Sequence, residues 1–146
     1  MRNVFVRFIF LASFLVIISC KNYAQDYSPY LADCDFVMDE GAEEYSICGI
    51  KCLVMNKSDK NIKSLNLVFY LFDKDGEPAT ECQSKLEFNI EKNIPAGQSA
   101  SFCISLDKYI NTIPSESLFV DYVYLSKIEY EDGSTWDDPL GLIAFK

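Results

Sequence analysis

The chain contains no histidine. That absence removes Ser-His-Asp triads, imidazole acid–base chemistry and histidine-ligated zinc together. Basic residues are few: 13 Lys and Arg stand against 22 Asp and Glu, a formal net charge of −9. A phosphate backbone needs a basic face, so the charge argues against nucleic acid as a partner. Glycine (6) and proline (5) are scarce, which excludes collagen-like and low-complexity classes. No apolar run reaches the ~20 residues of a membrane-spanning helix. CxxC spacing and internal repeats are missing as well, which argues against thiolate zinc sites, solenoids and propellers. What is present is a chain of 146 residues, 49% of them apolar. That is too apolar for disorder and short enough for one domain.

The first segment reads as an address. Arg2 and Arg7 precede Phe8 to Ile18 (FIFLASFLVII), an apolar run broken only by Ser13. Its length fits a signal-peptide core. Ile17, Ile18 and Ser19 then lead to Cys20. This resembles the bacterial lipobox, in which small or aliphatic residues precede a cysteine whose thiol takes a diacylglyceryl group. The resemblance implies that residues 1–19 are a removed signal peptide and that Cys20 is lipidated. Cutting after Ala24 instead would place Asn22 where a small residue is wanted, and Arg7 and the short run disfavour an uncleaved anchor. Each acyl CH₂ buried in lipid contributes roughly 0.8 kcal/mol, so two or three chains hold firmly. Processing removes Arg2 and Arg7, so the mature chain is still more acidic than the −9 of the full one. Such a body is repelled by anionic headgroups. Lys21 to Asp33, polar and containing Pro29, is expected to be its tether, so that residues 20–33 form lipidated cysteine plus tether. Thirteen residues reach at most ~45 Å.

Residues 34–146 read as strands. Ser46 to Val54 alternates, with Cys48, Ile50, Cys52 and Val54 on one face. Leu65 to Asp73 (LNLVFYLFD) carries Leu65, Leu67, Phe69 and Leu71 on one face and Val68, Tyr70 and Phe72 on the other, which predicts a central strand. Asp75-Gly76 supplies a tight turn. Cys82 to Ile90 is the next strand; Ala100, Phe102, Ile104 and Leu106 form another inward face. Lys108 to Pro114 is a loop or a helical turn. Leu118 to Glu131 is long, and its apolar phase shifts near Ser126-Lys127, which predicts a bulge. Asp132-Gly133 turns into a short return strand at Trp136, and Leu140 to Phe145 is a last apolar segment. No amphipathic helix follows residue 20. The expected fold is all-β: a sandwich of about seven strands.

Phe69, Leu71 and Asp73, with Phe72 in place of a tyrosine, resemble the signature of the FxLYD domain, an immunoglobulin-like module of bacterial surface proteins. Gly49-Ile50-Lys51 leading to Asn56-Lys57-Ser58 is similar to the strand and turn before that signature. Pro95-Ala96-Gly97 followed by Phe102 is similar to the segment after it. The likeness covers about residues 45–107. It implies an immunoglobulin-like β-sandwich and a surface setting, and carries no catalytic residues.

Three residue classes are candidates for chemistry. With Cys20 lipidated, Cys34, Cys48, Cys52, Cys82 and Cys103 remain, an odd number, so one stays free in a monomer. Disulfides and buried free thiols are both open; two bridges alone allow about fifteen connectivities. Cys48 and Cys52 lie ~13 Å apart along one strand, beyond the ~7 Å limit for a bridge. The carboxylates crowd turns, at Asp73-Asp75-Glu77 and at Glu131-Asp132 with Asp137-Asp138, without the length of an EF-hand or a singled-out glycosidase pair. They read as solvated turns. Tyr122, Tyr124 and Tyr130 either line a binding face or pack across strands.

No catalytic site, metal or cofactor is expected. The sequence predicts a non-enzymatic lipoprotein of the bacterial cell envelope, periplasmic or surface-facing. Its partners are the membrane, through the anchor, and an envelope protein; its role is that of spacer or interaction module. The alternatives are an accessory subunit of an envelope complex and a weak carbohydrate- or cation-binding module.

Overall fold

The structure, a computed structural model, describes residues 28–38 and 43–145. Ile17, Ile18, Ser19 and Cys20, and the tether as far as Tyr27, lie outside the described residues.

Seven strands follow in chain order: β1 (Tyr30–Val37), β2 (Gly49–Asn56), β3 (Ile62–Phe72), β4 (Lys85–Ile94), β5 (Ser99–Ser105), β6 (Phe119–Tyr130) and β7 (Thr135–Asp137). They build two antiparallel sheets, ordered β1-β2-β5 and β4-β3-β6-β7. The chain is therefore an all-β sandwich, as its alternating pattern predicts. The first, second and fifth strands share one sheet, and β4 extends the other beside β3, a strand distribution of the immunoglobulin-like kind.

Period-two alternation turns the expected residues inward. Ile50, Cys52 and Val54 of β2 and Leu65, Leu67, Phe69 and Leu71 of β3 are all buried. β3 lies between β4 and β6, which explains its two apolar faces: four residues fill the core, and Val68 is buried on the outer side. The bulge expected near Ser126 is present, because Asn66 pairs with Lys127 while Leu67 pairs with Leu125.

Among the boundaries that differ from those the sequence predicts, three have a visible cause. The tether does not extend to Asp33, because β1 begins at Tyr30 and pairs with β2 from Tyr30 to Val37. Its pattern is plain once seen: Tyr30, Ala32, Cys34 and Phe36 point inward, with Leu31, Asp33 and Asp35 outward. Alanine and aspartate are weak strand formers, but outward acids suit an edge strand, where they discourage pairing with another chain. β2 starts at Gly49, three residues after Ser46. The N–H groups of Ser46, Ile47 and Cys48 are donated to the Asp107 carboxylate at 2.7, 2.9 and 3.3 Å, which holds this stretch as a cradle. β4 runs from Lys85 to Ile94 because Cys82 is drawn off to bridge with Ile110, and a bulge on β4, with Lys92 and Asn93 against Lys63, puts Ile94 opposite Ile62.

The cradle makes stability depend on acid. The three backbone N–H donors, Ser46 foremost, hold the Asp107 carboxyl below its ordinary value of 3.8. Lys63 does the same for Glu129, and Lys60 for Asp132. A depressed folded-state pKa stabilises the fold above the unfolded value, and that contribution disappears as pH falls through the folded one. The expected result is a melting temperature that is level from neutrality to about pH 5 and falls below about pH 4. Asp107→Asn lowers the neutral plateau and flattens the acid decline; a decline of unchanged slope in this variant would remove Asp107 from the explanation.

Candidate contact surface on the four-stranded sheet

The described residues carry one feature that packing does not account for. Between Val68–Tyr124 and Tyr70–Asp121 the β3–β6 register skips, leaving Tyr122 and Val123 on β6 against Phe69 alone. Within this bulge Tyr122 adopts φ 51°, the left-handed region, where it is the single non-glycine among the described residues. A side chain there costs about 1 kcal/mol or more. Asp121 holds the turn, its carboxylate accepting from the Tyr122 N–H at 2.7 Å. The bulge releases Val123 from β3, and its N–H and C=O both bond to Phe145.

The effect is to push the Tyr122 ring outward, where it is 58% exposed and sits edge-on to Tyr70 with centroids 6.1 Å apart. Two grooves flank the ring. One, about 320 Å³, is lined by Tyr70, Phe72, Tyr124, Leu140 and Gly141. The other, about 530 Å³, is lined by Phe72, Asp73, Lys74, Phe119 and Val120. Phe119 and Leu140 are themselves well exposed. Gly141 is required by close approach: at φ 63°, any Cβ there would lie 2.9 Å from the Tyr124 ring. Lys85 closes the far side, its ammonium 5.6 Å over the Tyr70 ring. The Tyr70 hydroxyl raises the Lys85 pKa, so this cation stays charged. Burial pushes the Tyr124 phenol upward, which keeps it neutral at physiological pH.

Rings, aliphatic side chains and one fixed cation suit recognition of an apolar or aromatic partner. The nearby carboxylates are occupied in shaping backbone. Asp73 accepts from Asp75 N–H and Glu77 N–H, both at 2.9 Å, and forms the turn at Gly76. Among the described residues, no three His, Cys, Asp or Glu side chains are placed to hold a metal ion.

The signature residues divide by role. Phe69 and Leu71 are buried in the core, Phe69 stacking on Phe88 at 5.8 Å; Asp73 makes the turn; Phe72 lies on the outer side between the two grooves. Of the three tyrosines that the sequence offers as a face, only Tyr122 is exposed. Tyr124 and Tyr130 are buried. Tyr70, Phe119 and Leu140 belong to the surface, and sequence reasoning misses them as site residues. A second break in the β6 alternation, at Tyr122, is the signal that marks it.

The five cysteines among the described residues are unbridged, four of them buried and Cys103 half-buried. No family model and no curated protein matches the chain. Among solved structures it is similar to the X-ray structure of Northeast Structural Genomics Consortium target SoR45, with 10% identity and a TM-score of 0.42 over 74% of this chain and 77% of that one.

Proposed function

We propose that the chain is a lipid-anchored β-sandwich of a bacterial envelope that works without catalysis, as a module contacting an envelope protein through the surface around Tyr122. The observation that carries the contact role is Tyr122 itself. A strained backbone that exposes a large ring beside other exposed apolar groups lowers stability, and such features are retained where a partner covers them. The sequence Ile17-Ile18-Ser19-Cys20 supports the anchor. The FxLYD-type resemblance of Phe69, Leu71, Phe72 and Asp73 supports the surface setting.

Three measurements test this reading. Cells fed an alkyne palmitate analogue should label the wild-type chain and leave Cys20→Ala unlabelled; an unlabelled wild type would remove the anchor. A photo-crosslinking residue at position 122 should give a discrete protein adduct in intact cells, and one at Ser101, exposed on β5, should not. Tyr122→Gly relieves the left-handed backbone, so its melting temperature should equal or exceed that of the wild type while the interaction is lost. A markedly less stable Tyr122→Gly would make the ring a packing element.

A further inference from the structure

Cys34 and Cys52 stand directly opposite each other in the β1–β2 ladder. The Lys57 N–H donates to the Pro29 carbonyl at 2.8 Å, so the pair 29/57 is hydrogen-bonded. Stepping along the ladder, 31/55, 33/53 and 35/51 share that type, and Cys34/Cys52 falls on the other. At non-hydrogen-bonded positions Cα atoms approach to about 4.5 Å and side chains are closest. A disulfide accepts Cα separations of about 4.4–6.8 Å. Both side chains point into the core, at 6% and 3% exposure. The remaining cysteine on this sheet, Cys103, pairs with Lys51 and so lies on the opposite face.

We propose that Cys34 and Cys52 are an oxidisable pair that closes to a cross-strand disulfide, stapling edge strand β1 to β2. The oxidant is a disulfide, small-molecule or protein. One cysteine thiolate attacks a donor sulfur and expels one donor thiolate. The second cysteine thiolate then attacks the mixed disulfide and expels the other. Two protein thiols and one donor disulfide become one protein disulfide and two donor thiols, which carry away both protons and both electrons. Access controls the rate. The Cys34 thiol and burial both push the Cys52 thiol upward, so thiolate is scarce while the ladder is closed. Among the described residues β1 has β2 as its sole ladder neighbour, so fraying of this edge exposes the pair. The staple is independent of the anchor and of the Tyr122 surface.

The test uses the full chain, purified reduced and then held with oxidised glutathione, both native and during refolding from urea. Remaining thiols are alkylated under denaturing conditions, and the peptides are mapped by mass spectrometry. The expected result is one bridge between the Cys34 and Cys52 peptides, with Cys48, Cys82 and Cys103 alkylated. The oxidised protein should melt at least about 5 °C above the reduced one. Cys34→Ala should abolish both effects. A variant with Cys48→Ala, Cys82→Ala and Cys103→Ser should still form the bridge, which decides the matter if Cys34→Ala does not fold. Alkylation of both cysteines under every condition, a bridge to another cysteine, or a bridge without a rise in melting temperature would overturn the proposal.

Discussion

Asn56→Ala should lower the unfolding free energy by about 3–5 kcal/mol, near the limit of what one substitution removes. Asn56 is fully buried at the end of β2. Its side-chain amide donates to the Lys60 and Ile94 carbonyls at 2.7 and 2.9 Å, and its oxygen accepts from the Ser58 N–H and hydroxyl at 3.0 and 2.6 Å. Its own N–H and C=O bond to Gln98 and Gly97. One residue thus fixes the turn from β2 to β3, the end of β4 and the turn into β5. Alanine takes from the buried Ile94 carbonyl its side-chain donor, and no water replaces four bonds in a space that small. Asn56→Asp should be worse still, because a carboxylate would face two carbonyl oxygens. Ser58→Ala, which removes the hydroxyl's three hydrogen bonds to Asn56 and Lys60 at a half-exposed site, should cost about 1 kcal/mol. Urea midpoints of the full-length variants rank the three; a loss under about 1 kcal/mol for Asn56→Ala would mean that the region relaxes around the gap.

Tyr30→Phe should destabilise by about 2–4 kcal/mol although it removes a single oxygen. The Tyr30 hydroxyl accepts from the Leu125 N–H at 2.8 Å and donates to the Ile143 carbonyl at 2.9 Å. Its ring packs edge-on against Trp136 and Phe145, with centroids 5.5 and 5.3 Å away. Phenylalanine keeps those ring contacts and leaves the buried Leu125 N–H and the partly buried Ile143 carbonyl without this partner. Burial pushes the Tyr30 phenol far above its ordinary range, so the hydroxyl keeps its proton and its donor role through mildly alkaline pH. Thermal melts measure the stability loss. Amide exchange locates it: the Leu125 N–H should lose protection more than the amides of β2. Uniform loss across both sheets would indicate a global effect with no special role for this hydroxyl.

The sandwich is legible in the sequence because most of its strands keep strict alternation with strong formers. Leu65, Leu67, Phe69 and Leu71 leave no doubt about which side faces the core. β1 is hidden because its inward residues include Ala32 and Cys34, two of its outward ones are acids, and it follows a polar stretch that looks like linker. The start of β2 is displaced because a side chain from a distant segment, Asp107, replaces the ladder at Ser46, Ile47 and Cys48. No local pattern encodes such a contact. The contact surface is visible only partially. The sequence offers Tyr122 only together with Tyr124 and Tyr130, and its separation from them depends on a bulge whose position is set by pairing with β3. Asn56 reads as the first residue of a polar turn; nothing in its neighbourhood shows that the turn folds over it and buries it.

The rings of Tyr30 and Phe145 lie 5.3 Å apart, so the first residue of β1 and the last described residue of the chain sit side by side. A peptide of a few residues would close that gap into a ring, and new ends could then be opened at the exposed turns around Gly76 or Gly133 without cutting a sheet. Traction applied between these two residues would load the hydrogen bonds of the Tyr30 hydroxyl first.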